Sequence, residues 1–120
     1  MPRKKMLRVV ADPQPKADVA YRIQVTAAEP FRDTLKVAFR HLSSEMEGFT
    51  RVVHFRLPIT PGSLGGELFR ACGITTEEGS DLDPNEIIGA VLTVRFGLWA
   101  GDAQPRPVAF ESLTAKEIDQ

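Results

Sequence analysis

From Val19 the chain alternates, with Val19, Tyr21, Ile23 and Val25 on one side and Ala20, Arg22, Gln24 and Thr26 on the other, the period-two pattern of a half-buried strand. Pro30 is expected to end this run. After the short Arg32-Asp33 turn, a second run from Thr34 to Leu42 sets Leu35, Val37 and Phe39 against Lys36, Ala38 and Arg40, which reads as a hairpin. A Glu47-Gly48 turn then leads into Phe49 to Leu57. There Phe49, Val53, Phe55 and Leu57 are expected inward beside the misfit Arg51, with Thr50, Val52, His54 and Arg56 outward. Three consecutive strands of this kind form a meander.

The period then changes. Thr60-Pro61 offers an N-cap with proline at the first helical position, Leu64, Leu68, Phe69 and Cys72 fall on one helical face, and Gly73 stops the run. Gly62, Gly65 and Gly66 each weaken that helix by about 1 kcal/mol relative to Ala, so its first turn reads as readily as a loop. Residues 75–83 form an acidic surface loop, closed by Asp83-Pro84-Asn85-Glu86, a capping-box pattern for one helical turn ending at Gly89. Val91 to Leu98 supplies a fourth strand, with Leu92, Val94 and Phe96 against Thr93 and Arg95, and Arg106 to Glu111 a fifth. Residues 1–17, with Pro2, Pro13 and Pro15, read as an extended basic arm carrying a short strand at Leu7 to Val10. Residues 18–112 form the domain and 113–120 a polar tail.

Three meandering strands, a helix and two more strands, with no helical crossover elsewhere, predict an all-β fold with one helix: a five-stranded OB-like Greek-key barrel whose helix lies between strands 3 and 4 and plugs one end. Barrel closure also hides the edges of Val- and Phe-rich strands. The alternative architecture is a five-stranded open sheet or sandwich carrying one helix.

Length fits a single core, since two cores in 120 residues would each fall in the marginal range. Lone Cys72 excludes an internal disulfide and a zinc knuckle, which points to a reducing, cytoplasmic setting. No apolar run reaches the roughly 18 residues of a membrane span, so neither an anchor nor a signal peptide is expected. The net charge of -1 conceals an asymmetry: residues 1–56 hold 11 Lys and Arg against 6 acids, and residues 57–120 hold 4 against 10. The basic half is the half with the meander.

Leu35-Lys36-Val37-Ala38-Phe39, Glu47-Gly48-Phe49 through Leu57, Leu68-Phe69-Arg70-Ala71-Cys72-Gly73-Ile74, and Asp83-Pro84-Asn85-Glu86-Ile87-Ile88-Gly89 before a Val-rich strand together resemble a phage-associated family of uncharacterised small proteins. The resemblance spans about residues 18–112. It implies an OB-fold, single-stranded-DNA-binding-like protein associated with phage-type replication or recombination. Where that family enters its first strand through Gly-x-Tyr, this chain has Val19-Ala20-Tyr21.

Enzyme signatures are missing: the sequence holds no Gly-rich phosphate loop, His-Glu-x-x-His, Gly-x-Ser-x-Gly or Cys-x-x-Cys. No enzymatic activity, cofactor or metal is therefore expected. His41 and His54 lack a clear third ligand and read as surface polar residues, and Cys72 reads as a small hydrophobe. The carboxylates Glu77, Glu78, Asp81, Asp83 and Glu86 match no calcium-loop spacing and read as a solvated loop.

The constellation with chemistry is the outward face of the first three strands: Arg22, Gln24, Lys36, Arg40, His54 and Arg56, with Arg51 nearby. Single-strand binders combine such cations with aromatic stacking platforms. Tyr21, Phe39, Phe49, Phe55 and Phe96 are assigned to the core, which leaves Phe31 and Trp99, both beside loops, as stacking candidates. The function expected is binding of single-stranded nucleic acid, DNA in the first instance, with little sequence preference. A solvated strand face explains the same cations as well. The alternative function is a protein-interaction or self-assembly module, for which the opposed charges of the two halves also suit head-to-tail association.

Overall fold

The structure is a computed structural model that describes residues 14–17, 19–98, 101 and 104–113. Its elements run β1 (Ala20–Phe31), β2 (Thr34–His41), β3 (Thr50–Arg56), α1 (Leu64–Ala71), β4 (Val91–Gly97) and β5 (Arg106–Ser112), with short 3-10 turns at Ser44–Met46 and Pro84–Ile87. The five strands form one antiparallel sheet in the order β3-β2-β1-β4-β5. Among the described residues no ladder joins β3 to β5, so the sheet is open. Residues 1–13, including the strand expected at Leu7 to Val10, lie outside the described residues, as do most of the polar tail and Trp99.

The inward positions follow the sequence pattern on most strands. Tyr21, Ile23 and Val25, Leu35, Val37 and Phe39, Phe55, and Leu92, Val94 and Phe96 are all buried in one core with Phe110. The sheet curls around this core. Phe55 on one edge strand and Phe110 on the other bring their ring centroids to 5.9 Å, and α1 packs against both β3 and β5. Ser112 Oγ at the end of β5 donates to Ala71 O at 3.0 Å, tying the helix to that edge.

β1 is longer than expected. It runs through Pro30 to Phe31, and its register against β2 shifts between Val25 and Ala27. At that point Val25 N donates to Ala90 O at 2.9 Å and accepts at its carbonyl from Gly89 N at 2.7 Å, so β1 leaves β4 for the turn before it. The extra residue reverses the alternation, as a bulge does. Ala28 is consequently the buried residue downstream, and Ala27, Glu29 and Phe31 join the outward face. Pro30 is tolerated because, among the described residues, β1 is paired beyond the bulge with β2 alone, leaving a side with no ladder for proline to interrupt.

Three other expectations are corrected. Val19, expected inward, is 40% exposed because it precedes β1. Phe49 is 40% exposed, because it precedes β3 in a loop where Met46, rising from the 3-10 turn, takes the covered position. His41 is 1% exposed instead of lying on the surface: period two points it inward after Leu35, Val37 and Phe39 despite its polarity.

The helix begins later than Thr60. Ser63 is the N-cap, its Oγ accepting from Gly66 N at 3.1 Å, while Thr60 and Pro61 form the preceding turn. Gly73, at φ +86°, closes the other end, with Ile74 N donating back to Phe69 O at 3.0 Å. Asp83 caps the second 3-10 turn by accepting from Asn85 N at 3.0 Å, a single cap bond rather than the reciprocal box expected with Glu86. Gly66 lies directly under that first loop: a Cβ there would stand 2.4 Å from Thr60 O and 2.9 Å from Pro61 O, both rigid backbone. A Cβ at Gly65 meets the flexible end of Ile59 at 2.7 Å instead. Gly66→Ala is therefore expected to destabilise the fold by about 1–3 kcal/mol, the usual range for overpacking. Gly65→Ala should change it by less than about 1 kcal/mol, since gained helix propensity offsets the shift of Ile59. Urea midpoints of the two variants measure this, and equal losses would contradict it.

Candidate nucleic-acid interface

Strand pairing sorts the outward face into rows. Across β2 and β3 the facing pairs are Thr34 with Arg56, Lys36 with His54, Ala38 with Val52, and Arg40 with Thr50. On the other side of β2, β1 contributes Phe31 beside Thr34, Glu29 beside Lys36, Ala27 beside Ala38 and Gln24 beside Arg40. Lys36, Arg40, His54 and Arg56 thus lie together on the two-strand surface, as their alternation in sequence requires.

Phe31 is the centre of the cationic end of this surface. The residue is 46% exposed, with the Arg32 guanidinium carbon 5.4 Å and the Lys36 ammonium 5.8 Å from its ring centroid and the His54 ring 6.1 Å away at a tilt of 59°. His54 Nδ1 lies 3.2 Å from Thr34 Oγ1, which itself donates to Phe31 O at 2.8 Å. Imidazole, hydroxyl and aromatic are held as a unit by these contacts. The two-residue turn that follows places Arg32 at φ +57°, a left-handed conformation uncommon for a long side chain.

Arg32 was not singled out by sequence. A hairpin loop of only two residues demands positive φ near its start, and that signal was legible in Phe31-Arg32-Asp33-Thr34 once Phe31 was paired with Thr34. Arg22 sits apart from this cluster, half-buried on β1 opposite Thr93 of β4. Gln24 turns its amide to Gly89 O at 3.3 Å. The proposed second platform, Trp99, lies outside the described residues.

Arg51 belongs to the core side of β3. Its guanidinium carbon stands 5.2 Å over the Phe96 ring, its Nε is buried without a partner among the described residues, and burial lowers its pKa. His41 shares the Phe96 ring with it and packs against Tyr21, Phe39 and Phe96 at centroid distances of 5.5, 6.0 and 6.0 Å. Neither imidazole nitrogen has a hydrogen-bond partner among the described residues. Burial first, and repulsion from Arg51 second, pull the His41 pKa down to about 4, so the ring is neutral at physiological pH.

Elsewhere the chemistry is sparse. Cys72 is half-buried, and burial pushes its thiol up to about 11, which keeps it protonated and a poor nucleophile near neutral pH. The acidic loop and residues Ile59 to Pro61 border a cleft of about 320 Å³ lined by Thr76, Glu77, Glu78 and Ser80. Among the described residues, no three His, Cys, Asp or Glu side chains gather as metal ligands. No helix among them is long and apolar enough to cross a membrane. No protein-family model, curated protein or solved structure matches this chain.

Proposed function

We propose that this protein is a non-enzymatic binding module for single-stranded nucleic acid, DNA in the first instance, and that the outward face of β2 and β3 is its binding surface. The observation that carries the reading is the exposed Phe31 ring flanked by Arg32, Lys36 and His54. An aromatic face accepts any base, and surrounding cations attract the phosphates on either side of it, which gives affinity with little sequence preference. The scaffold reading is a partly open OB-like barrel. It is supported by the sheet order, by the helix between the third and fourth strands, and by the approach of Phe55 to Phe110 across the open edge.

Replacing Phe31 by Ala should weaken binding of a labelled single-stranded oligonucleotide by about 1–3 kcal/mol, the cost of losing one stacked base. Phe31→Trp should retain or improve it. Fluorescence anisotropy measures both, and equal affinity of Phe31→Ala and wild type would remove Phe31 from the interface.

A second reading, self-assembly, is favoured by one feature: β3 ends the sheet and exposes Val52 at 50%. Light scattering in the absence of nucleic acid distinguishes it. An oligomer that dissociates as salt is raised supports this reading, and a monomer at all concentrations contradicts it.

A further inference from the structure

Beyond the identity of the ligand lies its path, and the rows of the outward face distinguish two. A strand of nucleic acid could cross the sheet, passing from β3 over β2 and β1 toward β4, or follow the groove between β2 and β3 along their length. Side chains on one face of an antiparallel strand repeat every two residues, about 7 Å apart, close to the phosphate repeat of an extended single strand. Along the β2–β3 groove the rows read Arg56 with Thr34, Lys36 with His54, Val52 with Ala38, and Arg40 with Thr50. Cations occupy the first, second and fourth rows. The third is small and apolar, with Val52 the most exposed of its members.

The crossing path is poorer. Leaving β2 at Lys36 it meets Glu29, a carboxylate directly opposite on β1, and leaving at Ala38 it meets only Ala27. Leaving at Arg40 it meets Gln24 and then Val91 of β4, with no cation on either. Of these two paths, the one along the groove gives phosphates consecutive positive partners.

We infer that a single strand lies along the β2–β3 groove over about four nucleotides, its phosphates on Arg56, Lys36 and Arg40, one base on Phe31 and one on the apolar step formed by Val52 and Ala38. This rests on the nucleic-acid reading above. Val52 is thereby a binding residue, and Glu29 the acid that keeps the phosphates off β1 beyond the base on Phe31.

The test uses charge substitutions at two exposed positions of the same sheet face. Val52→Glu should weaken binding of a single-stranded oligonucleotide of about 30 nucleotides more than tenfold, and Val52→Lys should strengthen it. Opposite signs at one site exclude misfolding as the cause. Val91→Glu, on β4 and off the path, should change affinity less than threefold. Competition by oligothymidylates of about two to twelve nucleotides should improve steeply up to about four and only statistically beyond. A Val91→Glu loss equal to that of Val52→Glu, or steep improvement continuing past about eight nucleotides, overturns the groove path while leaving the nucleic-acid function intact. Failure of the wild-type chain to bind the long oligonucleotide overturns that function itself, and the path with it.

Discussion

Lowering the pH from about 7 to about 4 is expected to cost the wild-type fold roughly 3 kcal/mol more than it costs a His41→Phe variant. The imidazole titrates near 6.5 when the chain is unfolded and near 4 inside the core. Between those values the unfolded state binds the proton and the folded state does not, so stability is full above about 6.5 and is lost as the pH falls toward 4. The physical cause is the site: an imidazole 1% exposed, enclosed by Tyr21, Phe39 and Phe96, with no acceptor for an N–H among the described residues and with Arg51 as a charged neighbour. Among those residues a charge there has no compensating partner. Phenylalanine keeps the aromatic packing and removes the titration. Urea unfolding of both proteins at several pH values measures the difference, and parallel curves would show that His41 does not titrate as a buried group.

The second large effect is electrostatic. Each phosphate neutralised on a single strand contributes about -0.7 to the slope of log affinity against log salt. Lys36, Arg40 and Arg56 together should therefore supply a slope of about -2, and replacing all three by Ala should flatten the salt dependence by that amount. If counterion release carries these contacts, the triple variant loses about 500-fold in affinity at about 50 mM salt. All three side chains project outward from a sheet whose core they do not enter, so the variant should fold. A triple variant with unchanged slope would mean that the phosphates meet other cations.

Most of the core was legible because the chain alternates. Once Tyr21, Ile23 and Val25 or Leu92, Val94 and Phe96 are placed on one face of a strand, the neighbouring Arg22 or Thr93 must occupy the other. The same rule put Lys36, Arg40, His54 and Arg56 on a common surface before any pairing was known. It failed at two kinds of place. At Val25 to Ala27 a bulge adds one residue, and from there on alternation points the wrong way, so Phe31 could be assigned only to a turn when it in fact stands on the sheet face. A bulge depends on what pairs on either side, here the departure of β1 from β4, and one strand's pattern does not contain that. At His41 and Arg51 the period is right and residue type misleads: polar side chains at inward positions of edge and near-edge strands read as exposed or misplaced, whereas aromatic rings cover both. Helix α1 shows a third effect. Thr60-Pro61 is a good start signal, yet Ser63 is the cap: its Oγ accepts from Gly66 N, while the Thr60 carbonyl is engaged by Ser63 in the turn before the helix.

The most direct test of the central claim is a two-dimensional amide NMR spectrum of the protein, recorded while a short oligothymidylate is titrated in at low salt. Binding at the proposed surface predicts progressive, saturable shifts in Phe31 to Arg40 and Thr50 to Arg56, with the acidic loop at 75–83 and α1 unmoved. An unchanged spectrum, or shifts concentrated on α1 and the acidic loop, would contradict it.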